Sequence, residues 1–183
     1  NKMTYTMQSV IEQAQQISVD RQLQSIEGEA LVSALLNVSD SMSRDILERA
    51  NIDVNKMNEE LDEKLSKYNV VKGDNIQYGQ YMSSNFSKIY DRALKIMEEM
   101  GDDFISQEHA LLASIEIDAT LKEFTEGKVH VIEAIIKKVR GGNHVTTQNP
   151  EVQYEVLEKY GRDLVQEVRQ GNLDPVIGRD EEV

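Results

Sequence analysis

Apolar residues recur at every third or fourth position along most of residues 1–140. A period near 3.6 residues is typical of amphipathic helices that bury one face against a core. The pattern predicts eight helices, separated by short polar segments that contain Gly, Ser, Asp or Asn. Their predicted extents are about 4–18, 26–38, 41–51, 53–68, 86–100, 106 onward, 118–124 and 129–139. The sequence therefore predicts an all-α fold for this part of the chain.

Two of the predicted helices begin with the same order of residue types. One run starts at Ile26 and the other at Ile105, about eighty residues later, and Glu29 of the first aligns with Glu108 of the second. A shared pattern at this distance indicates an internal duplication. We therefore predict a pseudo-twofold pair of four-helix repeats. The predicted halves are about 1–68 and 80–140.

The segment between the fifth and sixth predicted helices carries several candidate site residues. Gly101 supplies the positive φ that ends a helix, and Ser106 is a suitable N-cap for the next one. Asp102, Asp103 and Glu108 place three carboxylates close together, as in an acid–base site. No nucleophile, electrophile or phosphate-binding loop accompanies them, so no catalytic residue is assigned. Helix-terminus electrostatics is the favoured interpretation, and partner binding is the alternative.

Composition excludes several classes of partner. The chain has 33 acidic and 20 basic residues, for a net charge of −13. Nucleic acids and anionic membrane surfaces both require clustered Lys and Arg, so neither is an expected partner. The chain has no cysteine, no apolar run of the ~18 residues that a membrane span needs, and no apolar signal-peptide region. We expect a cytoplasmic protein.

Neither a metal ion nor a nucleotide is expected to bind this chain. His130 and Glu133 share one face of a predicted helix, but a zinc site needs further ligands that the sequence does not place nearby. The chain also lacks the G-x-x-x-x-G-K-[ST] loop that holds nucleotide phosphates. The sequence therefore predicts a non-enzymatic fragment without a cofactor.

The helical period ends at Arg140. The glycine pair and polar residues of 141–149 predict a flexible linker. Pro150 then marks a helix start, with Asn before it and Glu after it. That helix is expected to continue to Gly171, so that 150–183 is the opening of a second, truncated domain.

Motifs in this last part of the chain resemble a known family. The run Tyr-Gly-Arg-Asp-Leu at 160–164 and the run Asp-Pro-Val-Ile-Gly-Arg at 174–179 follow Gln-Asn-Pro-Glu at 148–151. Together they are similar to the junction into the first AAA+ module of ClpB-type disaggregases in the Clp family. The duplicated helices that begin Ile-x-x-Glu are similar to the Clp amino-terminal domain.

The resemblance implies a function for the predicted domain. A Clp amino-terminal domain would bind unfolded or aggregated polypeptide and pass it to the AAA+ pore of a hexameric, ATP-dependent chaperone that works with the DnaK system. ATP and Mg²⁺ would bind in the AAA+ modules of that parent protein, where Val176 and Ile177 would border the adenine pocket. An adaptor-docking module, as in protease-associated paralogues, and a collar that stabilises the hexamer are the alternatives.

The same resemblance implies that Thr4, Asp102 and Glu108 take part in substrate handling. From its position, Thr4 is also the expected N-cap of the first helix. Met7 and Met100 lie on apolar stripes, where core packing is the default, although Met also suits a surface that adapts to varied partners. We predict a shallow apolar groove between the two halves, rimmed by Thr4, Asp102 and Glu108. The predicted substrate-binding set is Thr4, Met7, Met100, Asp102, Phe104 and Glu108.

Overall fold

The computed structural model describes residues 2–153. This range contains eight α-helices and a short 3₁₀ helix, together with two strands of two residues each. The helices are α1 (Tyr5–Asp20), α2 (Gly28–Asn37), α3 (Met42–Arg49), α4 (Val54–Ser66), α5 (Ser84–Glu99), α6 (Gln107–Ile117), α7 (Ala119–Phe124) and α8 (Val129–Arg140). The strands are β1 (Ser25–Ile26) and β2 (Tyr81–Met82), and the 3₁₀ helix is Pro150–Gln153.

The prediction of an all-α fold is confirmed, and the eight helices lie where the apolar period predicts them. Ile26 is an exception, because it belongs to β1 and α2 begins two residues later. The predicted helix from Pro150 to Gly171 falls mostly outside the described residues, which show only the 3₁₀ helix at its start. Val176 and Ile177 also lie outside the described residues.

Polar side chains begin several of these helices in the predicted way. Thr4 Oγ1 accepts a hydrogen bond from the Met7 amide at 3.2 Å at the start of α1. Ser83 makes the same contact with the Phe86 amide at 3.1 Å at the start of α5. Each bond satisfies an amide that the first turn of a helix leaves without a partner. Thr4 is therefore an N-cap, and its counterpart in the second half is Ser83.

The duplication organises the packing of the two halves. Within each half the first helix lies along the second, α1 against α2 and α5 against α6, and the core is built around α2 and α6. The halves also exchange short extended segments. Ile26 of β1 pairs in parallel with Met82 of β2, and Ile105 forms an equivalent bridge with Met3. The segment before the second helix of each half thus pairs with the segment before the first helix of the other.

The last helix of each half packs differently. In the first half, α4 lies along α2 as one of its principal contacts. In the second half, α8 contacts α3, and close packing against α6 is absent from the described helix pairs. The second half is therefore more open between its second and fourth helices than the first half.

The segment predicted as a flexible linker lies against the domain. Val145 is fully buried, and its carbonyl accepts a hydrogen bond from the Asp103 amide at 2.8 Å. Further along, the Gln148 carbonyl accepts from the Tyr5 amide at 2.8 Å. These contacts contradict the expectation that the chain leaves the domain at residue 141. The glycine pair predicted freedom of the backbone, but the carbonyls of Val145 and Gln148 each accept a hydrogen bond from an amide of the domain.

Candidate functional site

Asp102 lies at the centre of a buried polar cluster beside the Gly101 turn, where Gly101 adopts a φ of 73°. Its carboxylate accepts hydrogen bonds from His109 Nε2 at 2.7 Å, from the Val145 amide at 2.9 Å and from the Arg140 guanidinium. Burial alone would raise the pKa of Asp102, but these hydrogen bonds outweigh it and hold that pKa well below its usual range. One carboxylate therefore joins the start of α6, the end of α8 and the segment that follows α8.

His109 connects this cluster to the start of α6. The Ser106 amide donates to His109 Nδ1 at 2.9 Å, so Nδ1 carries a lone pair and the ring proton lies on Nε2, which faces Asp102. Ser106, His109 and Asp102 thus occur in the order of a hydrolytic triad. All three side chains are buried, so no substrate reaches them, and the arrangement acts as a helix cap.

Arg140 is shared between two buried carboxylates. Besides Asp102, its guanidinium lies 3.6 Å from Glu108 Oε2, and it donates to the Asn143 carbonyl at 3.0 Å. The sequence pattern did not predict a role for Arg140 or His109. The signals that could have found them are the Ser-x-x-His spacing at 106–109 and an Arg in the last turn of a helix at a position where the first half has Leu65.

The six residues of the predicted substrate-binding set do not share one open surface. Thr4, Met7, Asp102 and Glu108 are buried, while Met100 and Phe104 are partly buried. The prediction that Thr4, Asp102 and Glu108 rim a groove is wrong, because the polar atoms of these residues face a helix amide or the Arg140 cluster. These three side chains have no exposed surface that a substrate could contact directly. Their part in substrate handling stays a prediction, in which they act by holding the surrounding structure in place.

An open groove of about 610 Å³ lies nearby, between α5, α6, α8 and residues 142–144. Its floor is apolar and its rim is charged. It lies within the second half, so the prediction of a groove between the two halves is wrong in position. The groove does border the Gly101 turn, because Met100 and His144 both line it. The apolar floor consists of Ile96, Met100, Leu112, Ile115, Val129 and Ile136.

The two halves differ at a pair of equivalent positions beside this opening. In the first half, Asn37 on α2 and Asn58 on α4 hydrogen-bond to each other at 3.1 Å. The same positions of the second half hold Glu116 on α6 and Glu133 on α8, and both line the groove. Two ionised carboxylates carry no donor and cannot form the bond that the amides form. An amide pair therefore joins the second and fourth helices of the first half, and the two glutamates of the second half cannot make the equivalent bond.

The rim of the groove carries both signs of charge. Arg92 on α5 donates to Glu116 at 2.8 Å and lies 3.6 Å from Glu99. Lys137 on α8 also lines the groove, and its side chain is exposed. The apolar floor supplies a surface for apolar side chains, and the rim can bind flanking polar groups.

The described residues show no metal or membrane feature. Residues 2–153 contain no group of three or more His, Asp or Glu arranged to hold a metal ion. Within the same range, no helix has both the length and the apolar character needed to cross a bilayer. His130 lies 3.6 Å from Glu133 with a fully exposed side chain.

Comparison with known proteins identifies relatives along the whole chain. It is 56% identical over 183 residues to a chaperone protein ClpB of Staphylococcus aureus and 55% identical to one of Staphylococcus epidermidis. Over 190 residues it is 40% identical to a chaperone protein ClpB of Enterococcus faecalis. In each case all of this chain matches only 21% of the relative, so the chain spans about a fifth of these proteins.

Solved structures share the fold at low sequence identity. The Hsp104 N-terminal domain from Candida albicans matches with a TM-score of 0.68 at 16% identity, over 82% of this chain and 99% of that one. The N-terminal domain of ClpD from Arabidopsis thaliana matches with a TM-score of 0.51 at 13% identity, over 73% and 93%. A family model described as the Clp repeat (R) N-terminal domain matches residues 2–126. The duplicated helical fold and this match over most of the chain agree, and the chain belongs to the Clp repeat N-terminal domain family.

Proposed function

We propose that this domain binds unfolded or aggregated polypeptide in the groove between α5, α6 and α8. The bound polypeptide then passes to AAA+ modules of a longer, hexameric disaggregase that contains the domain. The observation that carries this proposal is the open groove of about 610 Å³ with an apolar floor. Similarity to ClpB chaperones supports the class of protein. Cooperation with the DnaK system, and the use of ATP and Mg²⁺ by the AAA+ modules, belong to the same proposal.

The chemistry of the groove fits a weak, permissive binding site. Apolar surface removed from water contributes about 25 cal/mol per Å² to binding. Most of that gain is offset by the cost of ordering a flexible chain, so a groove of this size favours weak complexes. Met100 adds a side chain that adapts to different shapes. Such a site binds exposed apolar segments with little dependence on their sequence.

The charge of the domain restricts its partners further. A net charge of −13 repels acidic chains over distances up to the screening length that the salt concentration sets. Apolar segments flanked by basic or neutral residues are therefore the favoured substrates. This preference is expected to weaken as salt concentration rises.

Binding to a permanently unfolded protein tests the proposal. Leu112→Lys and Met100→Lys place a charge on the groove floor, and we expect each to weaken binding of a reduced, carbamidomethylated protein about tenfold. Val131→Lys is the matched control, because Val131 on α8 is 48% exposed and does not line the groove. Equal binding by all these proteins contradicts the proposal. A tight complex with one folded protein, in place of weak binding to many unfolded ones, favours an adaptor-docking module.

A further inference from the structure

The outer edge of β2 has unused backbone groups. The amides of Tyr81 and Ser83 donate to the carbonyls of Gln24 and Ile26 at 3.2 and 3.1 Å, so both face β1. Backbone direction alternates along a strand, and the N–H and C=O of Met82 therefore face away from β1. Within residues 2–153, no segment pairs with that edge. The Ser84 amide, next along the chain, has no hydrogen-bond partner among the same residues.

The corresponding edge of the other half is covered by the chain itself. Met3 occupies the position of Met82 in the repeat, and Tyr5 occupies that of Ser84. There the Tyr5 amide donates to the Gln148 carbonyl at 2.8 Å, and Gln148 Nε2 donates to the Met3 carbonyl at 3.1 Å. Gln148, in the segment after α8, therefore covers this edge, whereas no residue of 2–153 covers the edge of β2. The occupied edge shows what kind of segment the empty one fits.

The side chains at the β2 edge are typical of a binding site and not of an edge strand that is protected from pairing. Tyr81 and Met82 are 64% and 62% exposed, so a large apolar side chain lies in solvent on each face of this edge. Exposed edge strands normally carry charges or proline, which prevent pairing with other chains. Residues 80–87 and 22–26 contain neither. In a chain with a net charge of −13, this neutral edge is complementary to an uncharged segment, as Val-Thr-Thr-Gln at 145–148 is.

We propose that the outer edge of β2 binds an extended, uncharged segment of an unfolded polypeptide by strand addition. A carbonyl of that segment accepts from the Ser84 amide, as the Gln148 carbonyl accepts from Tyr5, and its next amide donates to the Met82 carbonyl. β-Branched or apolar side chains of the segment pack over Tyr81 and Met82. Strand addition obtains affinity from main-chain bonds and accepts many sequences. The proposal rests on the proposed function for its partner class and adds a second site in the other half.

The structure offers a variant that removes only the donor. Ser84 is the first residue of α5, where proline is favoured, and Ser83 before it has φ −68° and ψ 167°, which proline tolerates in a preceding residue. Ser84→Pro therefore deletes the N–H and keeps the helix, while Ser84→Ala keeps both. Tyr81→Lys adds a charge to the edge. Its matched control is Tyr5→Lys, because Tyr5 is 58% exposed at the edge that the chain already covers.

The experiment titrates the ¹⁵N-labelled chain with a capped peptide of alternating Val and Thr residues. We expect the Ser84 amide signal to move downfield and the signals of Tyr81 and Met82 to shift. Ser84→Pro and Tyr81→Lys should weaken the peptide complex at least about tenfold, whereas Ser84→Ala and Tyr5→Lys should bind as the parent does. A peptide methylated at every backbone nitrogen should not bind.

Several outcomes overturn the proposal. Unchanged peptide binding by Ser84→Pro and Tyr81→Lys removes the edge as a site, as do shifts confined to the α5–α6–α8 groove. Shifts of the same edge residues on concentrating the chain alone identify a second copy as the occupant instead. Failure here is distinct from failure of the proposed function. If Leu112→Lys loses the unfolded protein while Ser84→Pro retains it, only the edge proposal falls.

Discussion

Asp102 is a buried residue that holds several elements of the domain together. Its carboxylate is the common acceptor for α6, α8 and the segment after α8, and its side chain is wholly buried. A change at Asp102 therefore disturbs one wall of the groove without a direct contact to its occupant. The resemblance assigns Asp102 to substrate handling, and the structure favours a positioning role for it.

Removing this carboxylate should destabilise the domain strongly. In Asp102→Ala, Arg140 loses the nearer of the two carboxylates Asp102 and Glu108, and the loss of one member of a buried ion pair costs about 3–5 kcal/mol. Urea denaturation measures the change in unfolding free energy. Asp103→Ala is the control: Asp103 is an exposed neighbour of the same type, and its loss should cost within about 0.5 kcal/mol. Similar costs for both variants contradict this account.

The lowered pKa of Asp102 also predicts a dependence of stability on pH. Its pKa in the folded state lies below its pKa in the unfolded chain, so its stabilising contribution is complete above the unfolded pKa and is lost as pH falls towards the folded pKa. Asp118 acts in the opposite direction, because burial raises its pKa.

A comparison of the parent with Asp102→Asn separates these two effects. We expect the difference in their unfolding free energies to be largest near pH 5 and to shrink towards pH 2.5. A difference that stays constant over this range would show that the carboxylate charge contributes nothing.

At the scale of elements, the groove depends on the spacing between α6 and α8. The equivalent helices α2 and α4 are joined through Asn37 and Asn58, while Glu116 and Glu133 cannot join α6 to α8 in the same way. The same four-helix repeat therefore gives a closed half and an open half, and these two positions are among the differences between them.

Changing both glutamates to asparagine should narrow the groove. In Glu116→Asn with Glu133→Asn, we expect an amide pair to form between α6 and α8 and the unfolding free energy to rise by about 0.5–1.5 kcal/mol. Binding of the unfolded protein should weaken because the apolar floor is less accessible. NMR contacts between the two new amide groups and a binding titration measure the two effects.

A control for this change removes two charges elsewhere. Glu123→Asn with Glu126→Asn alters exposed positions that do not line the groove, and binding should be retained. If the groove variant binds as tightly as this control, the spacing between α6 and α8 does not govern access.

At the scale of the whole molecule, the segment after α8 completes the domain. Val145 and Gln148 supply backbone acceptors for the Asp103 and Tyr5 amides. The segment 143–148 is therefore held against the domain and is not free from the glycine pair onward.

Truncating the buried side chain of this segment should loosen it. Val145→Ala removes two methyl groups from a fully buried site, at an expected cost of about 1–3 kcal/mol. Hydrogen exchange at the Asp103 and Tyr5 amides should accelerate as the segment detaches more often. Thr146→Ala, at an exposed neighbouring position, should leave both exchange rates unchanged. Unaltered exchange in Val145→Ala would show that the segment is held by other contacts.

The sequence by itself determined the helices, their caps and the duplication, because these follow from local periods and from residue types repeated along the chain. Thr4 is the N-cap that its position predicts, and Ile26 and Ile105 occupy equivalent places in the two halves. These features depend on neighbours within a few residues or on a visible repeat.

Only the tertiary structure decided where a groove opens and which polar residues are buried. The position of the groove depends on the spacing between α6 and α8. The burial of Asp102 and Glu108 depends on Arg140, which lies more than thirty residues away along the chain. A local pattern cannot show whether a carboxylate near a turn faces solvent or a distant guanidinium. Similarly, glycine pairs predict backbone freedom, but only packing shows that Val145 fills a buried site.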